Sequence, residues 1–144
     1  MRFVNTVTID RAPGDVFAYL AQFENLPRWN YAIAETRKVT SGPVGVGARY
    51  VQLRTIPSRS EETFEVVEFE PDRKMVIRGG FGPFSGDAIY ELDTASDATV
   101  LTNTFDLQAH GPLSLVTPLV TRQVKSAVRT NLGVLKQILE QGHA

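Results

Sequence analysis

Thr117 to Gln141 is the stretch that most constrains how this chain can fold. Thr117 is placed to cap a helix and Pro118 to open it, where a missing N–H has no partner to lose, and Gly142 supplies a stop. On a 3.6-residue wheel, Val120, Val124, Ala127, Val128, Leu135, Ile138 and Leu139 form one broad apolar stripe, with Arg122, Lys125, Arg129, Lys136 and Glu140 opposite. A helix of about 24 residues at ~1.5 Å each is ~36 Å long, enough to cross a small domain. Its apolar face must be covered by what comes before it.

Upstream, Phe3, Asn5, Val7 and Ile9 alternate with Arg2, Val4, Thr6 and Thr8, which predicts an opening strand. Pro13 and Asp15 begin a short helix with Val16, Phe17 and Leu20 on one face. A second helical piece follows over 23–29, interrupted by Pro27 and ending on Trp29, the only tryptophan. From Tyr31 the pattern becomes strand and turn. Strands are expected over Ile33–Thr40, Ala48–Ile56, Thr63–Phe69, Arg73–Arg78, Phe84–Asp93 and Thr99–Gln108. The economical arrangement is α+β: a curved seven-stranded antiparallel sheet wrapped around the long C-terminal helix, with two short helices after the first strand.

Composition narrows the partners. With 144 residues, 42% hydrophobic and 22% charged, the chain is sized for a single domain over 1–144. A net charge of -1 leaves no broad positive field, so neither nucleic acid nor an anionic membrane surface is expected as a partner. No cysteine is present, the first ten residues carry no apolar leader, and no apolar run is long enough to span a membrane, so the expected location is cytoplasmic.

Three runs carry a resemblance: Ile9-Asp10-Arg11-Ala12-Pro13-Gly14-Asp15-Val16-Phe17-Ala18-Tyr19-Leu20, then Glu24-Asn25-Leu26-Pro27-Arg28-Trp29, then Gly45-Val46-Gly47-Ala48-Arg49-Tyr50. Together they resemble the START/Bet v 1-like (SRPBCC) superfamily, and within it the bacterial polyketide cyclase/dehydrase and lipid-transport branch. Tyr90-Glu91-Leu92, Thr99-Val100-Leu101-Thr102 and Leu132 to Leu139 match as well, so the likeness covers nearly the whole chain. It implies a helix-grip fold with a cavity between the C-terminal helix and the sheet, and it implies that the Tyr50 side of its strand faces that cavity. The superfamily holds transporters, sensors and cyclases, so the resemblance specifies the fold and leaves the activity open.

Motifs for covalent or metal chemistry are sparse. Gly42, Gly45 and Gly47 have the wrong spacing for a phosphate loop and are followed by a strand pattern, so a turn is expected. Gly79, Gly80, Gly82 and Gly86 suit bends in a curved sheet; the sharper alternative is a flexible lip carrying Phe81 and Phe84 over a cavity mouth. His110 and His143 stand outside any H-x-E or H-E-x-x-H pattern, so no metal site and no cofactor are expected. No G-x-S-x-G elbow is present, and no residue is assigned a catalytic role, with His110 a remote acid/base alternative.

Polar residues in apolar settings are more informative. Asn131 falls within the helix stripe between Val128 and Leu135, and Asn103 shares a strand face with Leu101, Phe105 and Leu107. A buried amide without partners costs ~1–3 kcal/mol, so each needs one. Tyr50, Gln52 and Arg54 share a face, as do Ala88, Tyr90 and Leu92. Either these groups satisfy one another, or they line a pocket and orient a guest. The ligand-binding set on the second reading is Trp29, Tyr50, Gln52, Arg54, Phe81, Phe84, Tyr90, Asn103, Phe105, Val124, Val128, Asn131 and Leu135, with core packing the alternative for Trp29.

The expected function is binding, transport or sequestration of a small hydrophobic molecule: a lipid, a sterol or a polyketide-like compound. One alternative is a polyketide cyclase/dehydratase, with Tyr50 or Tyr90 as proton donor, Arg54 stabilising enolate charge, and Asn103 or Asn131 orienting the chain. Another is an accessory protein–protein interaction module, with Val51, Leu53, Val67 and Phe69 turned outward. A homodimer is a further open alternative. The strand phase between Ala48 and Arg78 is unsettled at this level, because a one-residue slip turns every proposed liner outward.

Overall fold

Seven alternating segments pair edge to edge in one antiparallel sheet in the computed structural model, which describes residues 1–110 and 117–142. They are β1 (Arg2–Ile9), β2 (Ile33–Lys38), β3 (Arg49–Arg54), β4 (Ser60–Glu70), β5 (Lys74–Phe81), β6 (Phe84–Ala95) and β7 (Ala98–Ala109). The order across the sheet is β1-β7-β6-β5-β4-β3-β2. After β1 the chain crosses to the far edge through α1 (Pro13–Ala21), a 3₁₀ turn (Phe23–Asn25) and α2 (Leu26–Trp29), then meanders back until β7 meets β1.

The long helix α3 (Pro118–Glu140) starts as its sequence requires. Thr117 is extended, its Oγ1 accepts from Val120 N at 3.2 Å, and Pro118 stands in the first turn. Gly142, at φ +75°, lies just past the C-cap. Against β1 the helix is tied by Asn5 Nδ2 donating to Lys125 O at 3.1 Å, and by Lys136 Nζ donating to Thr8 O at 2.6 Å. No helix among the described residues is long and apolar enough to cross a membrane.

The apolar stripe of α3 divides into two parts. Leu132, Leu135 and Leu139 are fully packed into a core that includes Ile9, Val16, Leu20 and Leu101. Val120, Val124, Ala127 and Val128, toward the N-terminus, are only half-buried. Under α1 and α2 the core is aromatic: Tyr50 and Phe64 stack at 5.0 Å, and Phe23 meets them edge-on at 4.9 and 5.3 Å.

Two strands run three residues past an expected end. β4 starts at Ser60 rather than Thr63, which brings Glu62 into register opposite Gln52. β5 runs on through Gly79 to Phe81; a Cβ at Gly79 would stand 2.1 Å from Thr63 O, so glycine lets the two strands pair there. β4 also carries a bulge between Val66 and Glu68, which leaves Val67 unpaired and reverses the alternation. Phe69 therefore pairs with Met75 and packs edge-on to Phe17 at 5.2 Å. The expectation that Phe69 faces outward with Val51 and Leu53 is corrected by that bulge.

Candidate ligand-binding site

Between the half-buried end of α3 and the sheet lies a cavity of about 510 Å³. Val120, Val124, Ala127 and Val128 form its helical wall. The sheet side is aromatic: Phe105 stacks on Phe3 at 5.3 Å and meets Phe81 edge-on at 5.7 Å, with Phe84 and Tyr90 alongside. Exposed Tyr31 and Ile56 also border the cavity.

One wall is polar and charged. The alternation of β3 turns Gln52 and Arg54 inward, and the early start of β4 turns Glu62 inward beside Phe64 and Val66. Arg54 Nε donates to Glu62 Oε1 and Oε2 at 3.0 and 3.1 Å, and its Nη2 stands 2.9 Å from Oε1. Only 14% of the Arg54 side chain and 7% of the Glu62 side chain is exposed. A pair this desolvated needs further hydrogen bonds to hold. They are present: Gln52 Nε2 donates to Glu62 Oε1 at 2.7 Å, Thr36 Oγ1 donates to Gln52 Oε1 at 3.4 Å, and the Gly82 amide donates to Glu62 Oε2 at 2.8 Å. That last bond fastens the β5–β6 hairpin to β4.

The remaining polar groups on the wall are amides and a phenol. Asn131 is buried, and its Oδ1 accepts from Tyr31 N at 3.4 Å. Asn30 Oδ1 accepts from Ala32 N at 3.0 Å. Tyr90 is buried, and desolvation raises its phenol pKa above the ordinary value.

Of the residues singled out from sequence, Gln52, Arg54, Phe81, Phe84, Tyr90, Phe105, Val124, Val128 and Asn131 all border this cavity. Trp29, Tyr50, Asn103 and Leu135 do not. Trp29 and Leu135 are core residues, 6% and 0% exposed. Asn103 is 1% exposed, and its Nδ2 donates to Ile89 O at 3.0 Å, so its partner is the neighbouring strand. Tyr50 stacks in the aromatic core and borders a second, more open cavity of about 430 Å³ with Phe17, Glu24, Lys38 and Phe69. Its phenol is pushed up to about 12 by burial and by the nearby Glu24 carboxylate. His110 Nε2 lies 2.5 Å from Ser85 Oγ in an exposed pair, and neither residue borders the first cavity. His143 is outside the described residues.

Sequence reasoning missed Glu62, Asn30, Tyr31 and Ile56. Glu62 had a signal: it stands two and four residues before Phe64 and Val66, on the same face of the alternation. The others lie in connections, where no period marks a direction.

An antiparallel sheet that grips a long helix over an apolar cavity defines the helix-grip class of proteins. The chain belongs to the family described as polyketide cyclase / dehydrase and lipid transport, whose sequence profile matches residues 1–140. Among solved structures it is similar to a START superfamily protein from Mycobacterium smegmatis (14% identity, 97% of each chain, TM-score 0.83) and to a protein of Thermus thermophilus (15% identity, 99% of each chain, TM-score 0.78). It is also similar to the di-domain ARO/CYC StfQ from the steffimycin biosynthetic pathway, at 17% identity and TM-score 0.76, over 97% of this chain and 50% of that one. No curated protein matches it in sequence.

Proposed function

We propose that this protein binds a small, mostly hydrophobic molecule between the N-terminal half of α3 and the sheet. The observation that carries the reading is the divided stripe of α3: Val120, Val124, Ala127 and Val128 face space where Leu132, Leu135 and Leu139 face side chains. At ~24 cal/mol per Å³, a dry void of 510 Å³ would cost ~12 kcal/mol, as much as a whole domain has in reserve. The space is filled by water or by a guest, and a guest that covers the valines and phenylalanines gains their burial. Thermal melts against a panel of lipids, sterols and polyketide-like aromatics test this. At least one compound raises the melting temperature by several degrees. A flat response to the whole panel, with nothing retained in native mass spectra of fresh protein, defeats the reading.

A second reading has its own support. Arg54 and Tyr90 border the same cavity, and together they offer a guanidinium hydrogen-bond donor and a proton donor to whatever occupies it. That pair suits a polyketide cyclase/dehydratase-type reaction, with Tyr90 protonating an oxygen and the Nη1 of Arg54 donating a hydrogen bond to the enolate oxygen, since Glu62 offsets the guanidinium's charge. Tyr50 is not offered for this role, since it borders the other cavity. Turnover lost in Tyr90→Phe with binding retained supports an enzyme; equal turnover in Tyr90→Phe and Arg54→Gln removes that reading and leaves binding.

A further inference from the structure

We infer that the cavity selects uncharged molecules bearing acceptor oxygens, such as ketones, lactones or quinones, and that Glu62 is the residue that excludes carboxylates. The inference rests on the cavity being a ligand site.

Charge comes first. Arg54 is the only cationic side chain that borders the cavity among the described residues. Glu62 holds its Nε and Nη2 at 3.0 and 2.9 Å, so the two cancel within the wall. A carboxylate entering would leave water and find a guanidinium already neutralised, with a second carboxylate behind it. An uncharged ligand has no such cost.

Hydrogen-bonding capacity points the same way. Glu62 accepts from Arg54, Gln52 and the Gly82 amide, so its oxygens are taken. A backbone N–H can only donate, so Tyr31 N and Ala32 N fix the carbonyl ends of Asn131 and Asn30 toward the chain. The Gln52 carbonyl is likewise taken by Thr36. Arg54 Nη1 and the amino groups of Asn131 and Asn30 have no acceptor among the described residues. These unpaired groups are donors, and a ligand that satisfies them supplies acceptors; the amide of exposed Gln123, also at the cavity border, offers both roles. The Tyr90 phenol borders the cavity and is protonated at neutral pH, so it too can donate.

Two probes with one ring system separate the terms: 2-acetylnaphthalene, an uncharged acceptor, and 2-naphthoate, its anionic counterpart. Titration calorimetry at neutral pH is expected to give at least tenfold tighter binding of the ketone by the wild-type protein. Glu62→Gln frees the charge of Arg54 and moves the ratio at least tenfold toward naphthoate. The Arg54→Gln/Glu62→Gln double variant, neutral on both sides, restores the preference for the ketone. Wild-type binding of naphthoate as tight as the ketone overturns the inference, and so does an unchanged ratio in Glu62→Gln. If Glu62→Gln does not fold, the wild-type ratio and the double variant decide. If neither probe binds while a lipid or sterol from the melting panel does, the selectivity inference falls and the ligand site stands; if nothing binds, both fall.

Discussion

Asn5 Nδ2 donates to the carbonyl oxygen of Lys125 at 3.1 Å, joining the first strand to the part of α3 that lies over the cavity. The neighbouring Val124 and Val128 are half-buried, so packing there is thin and a single hydrogen bond weighs more. Asn5→Ala is expected to cost ~1 kcal/mol and about 4 °C in melting temperature. Hydrogen exchange localises the effect: amides from 120 to 130 exchange faster, while those from 132 to 139 keep their protection. Uniform change along the helix would refute the separate anchoring of its two halves.

Gly79, like Gly86, is a position where substitution meets backbone. A Cβ there would stand 2.1 Å from Thr63 O and 2.6 Å from Phe64 Cα, and neither can move without separating β4 from β5. Gly79→Ala is expected to destabilise by ~3 kcal/mol or more, read as a shift of the urea midpoint. Gly45→Ala is the control, since nothing lies within 4 Å of its added Cβ, and it stays within ~0.5 kcal/mol. Equal effects at the two positions would remove close approach as the reason for glycine on β5.

The long helix and the meander were legible because they are periodic. Thr117, Pro118 and the valine–leucine stripe mark α3 without ambiguity, and alternation gives the β1, β6 and β7 faces correctly, including Phe105 and Tyr90. The bulge after Val66 was not legible, since an unpaired residue leaves no mark in hydrophobicity, and it reversed Phe69. The division of the α3 stripe was also hidden. Val124 and Leu135 look alike on a wheel, and only tertiary packing makes one a cavity wall and the other core. Asn103 and Asn131 looked equivalent for the same reason, yet one bonds a neighbouring strand and the other borders the cavity. Ala127 and Ala88 divide in the same way: the first borders the cavity, while the second is fully buried and does not.

Alkaline stability follows from the two buried phenols. Tyr50 ionises at 10.0 in the unfolded chain and at about 12 in the folded one, and burial also raises Tyr90. A raised folded pKa means the native state holds its proton where the unfolded state has lost it. Stability is therefore complete below pH ~10 and falls as pH rises from the unfolded value through the folded one. Urea midpoints are expected to be level with respect to these groups near neutral pH and to drop above pH ~10. Tyr50→Phe keeps the ring stack on Phe64 and removes one titrating hydroxyl, so its alkaline fall is shallower. An identical slope in wild type and variant would mean that Tyr50 does not titrate with unfolding.

Ala127 and Leu135 lie on one helix, and opposite responses to substitution would separate cavity from core. Ala127 borders the cavity, so Ala127→Trp projects a ring into space that no side chain fills. Melting temperature is expected to hold or to rise by a few degrees, as cavity-filling changes commonly add ~0.5–2 kcal/mol, while binding of any panel ligand weakens at least tenfold. Leu135 is 0% exposed in packed surroundings. Leu135→Ala there is expected to cost ~2–5 kcal/mol and to lower the melting temperature sharply. If Ala127→Trp destabilises as Leu135→Ala does, the two halves of the stripe are equally packed, and the space assigned to a ligand is closed in solution.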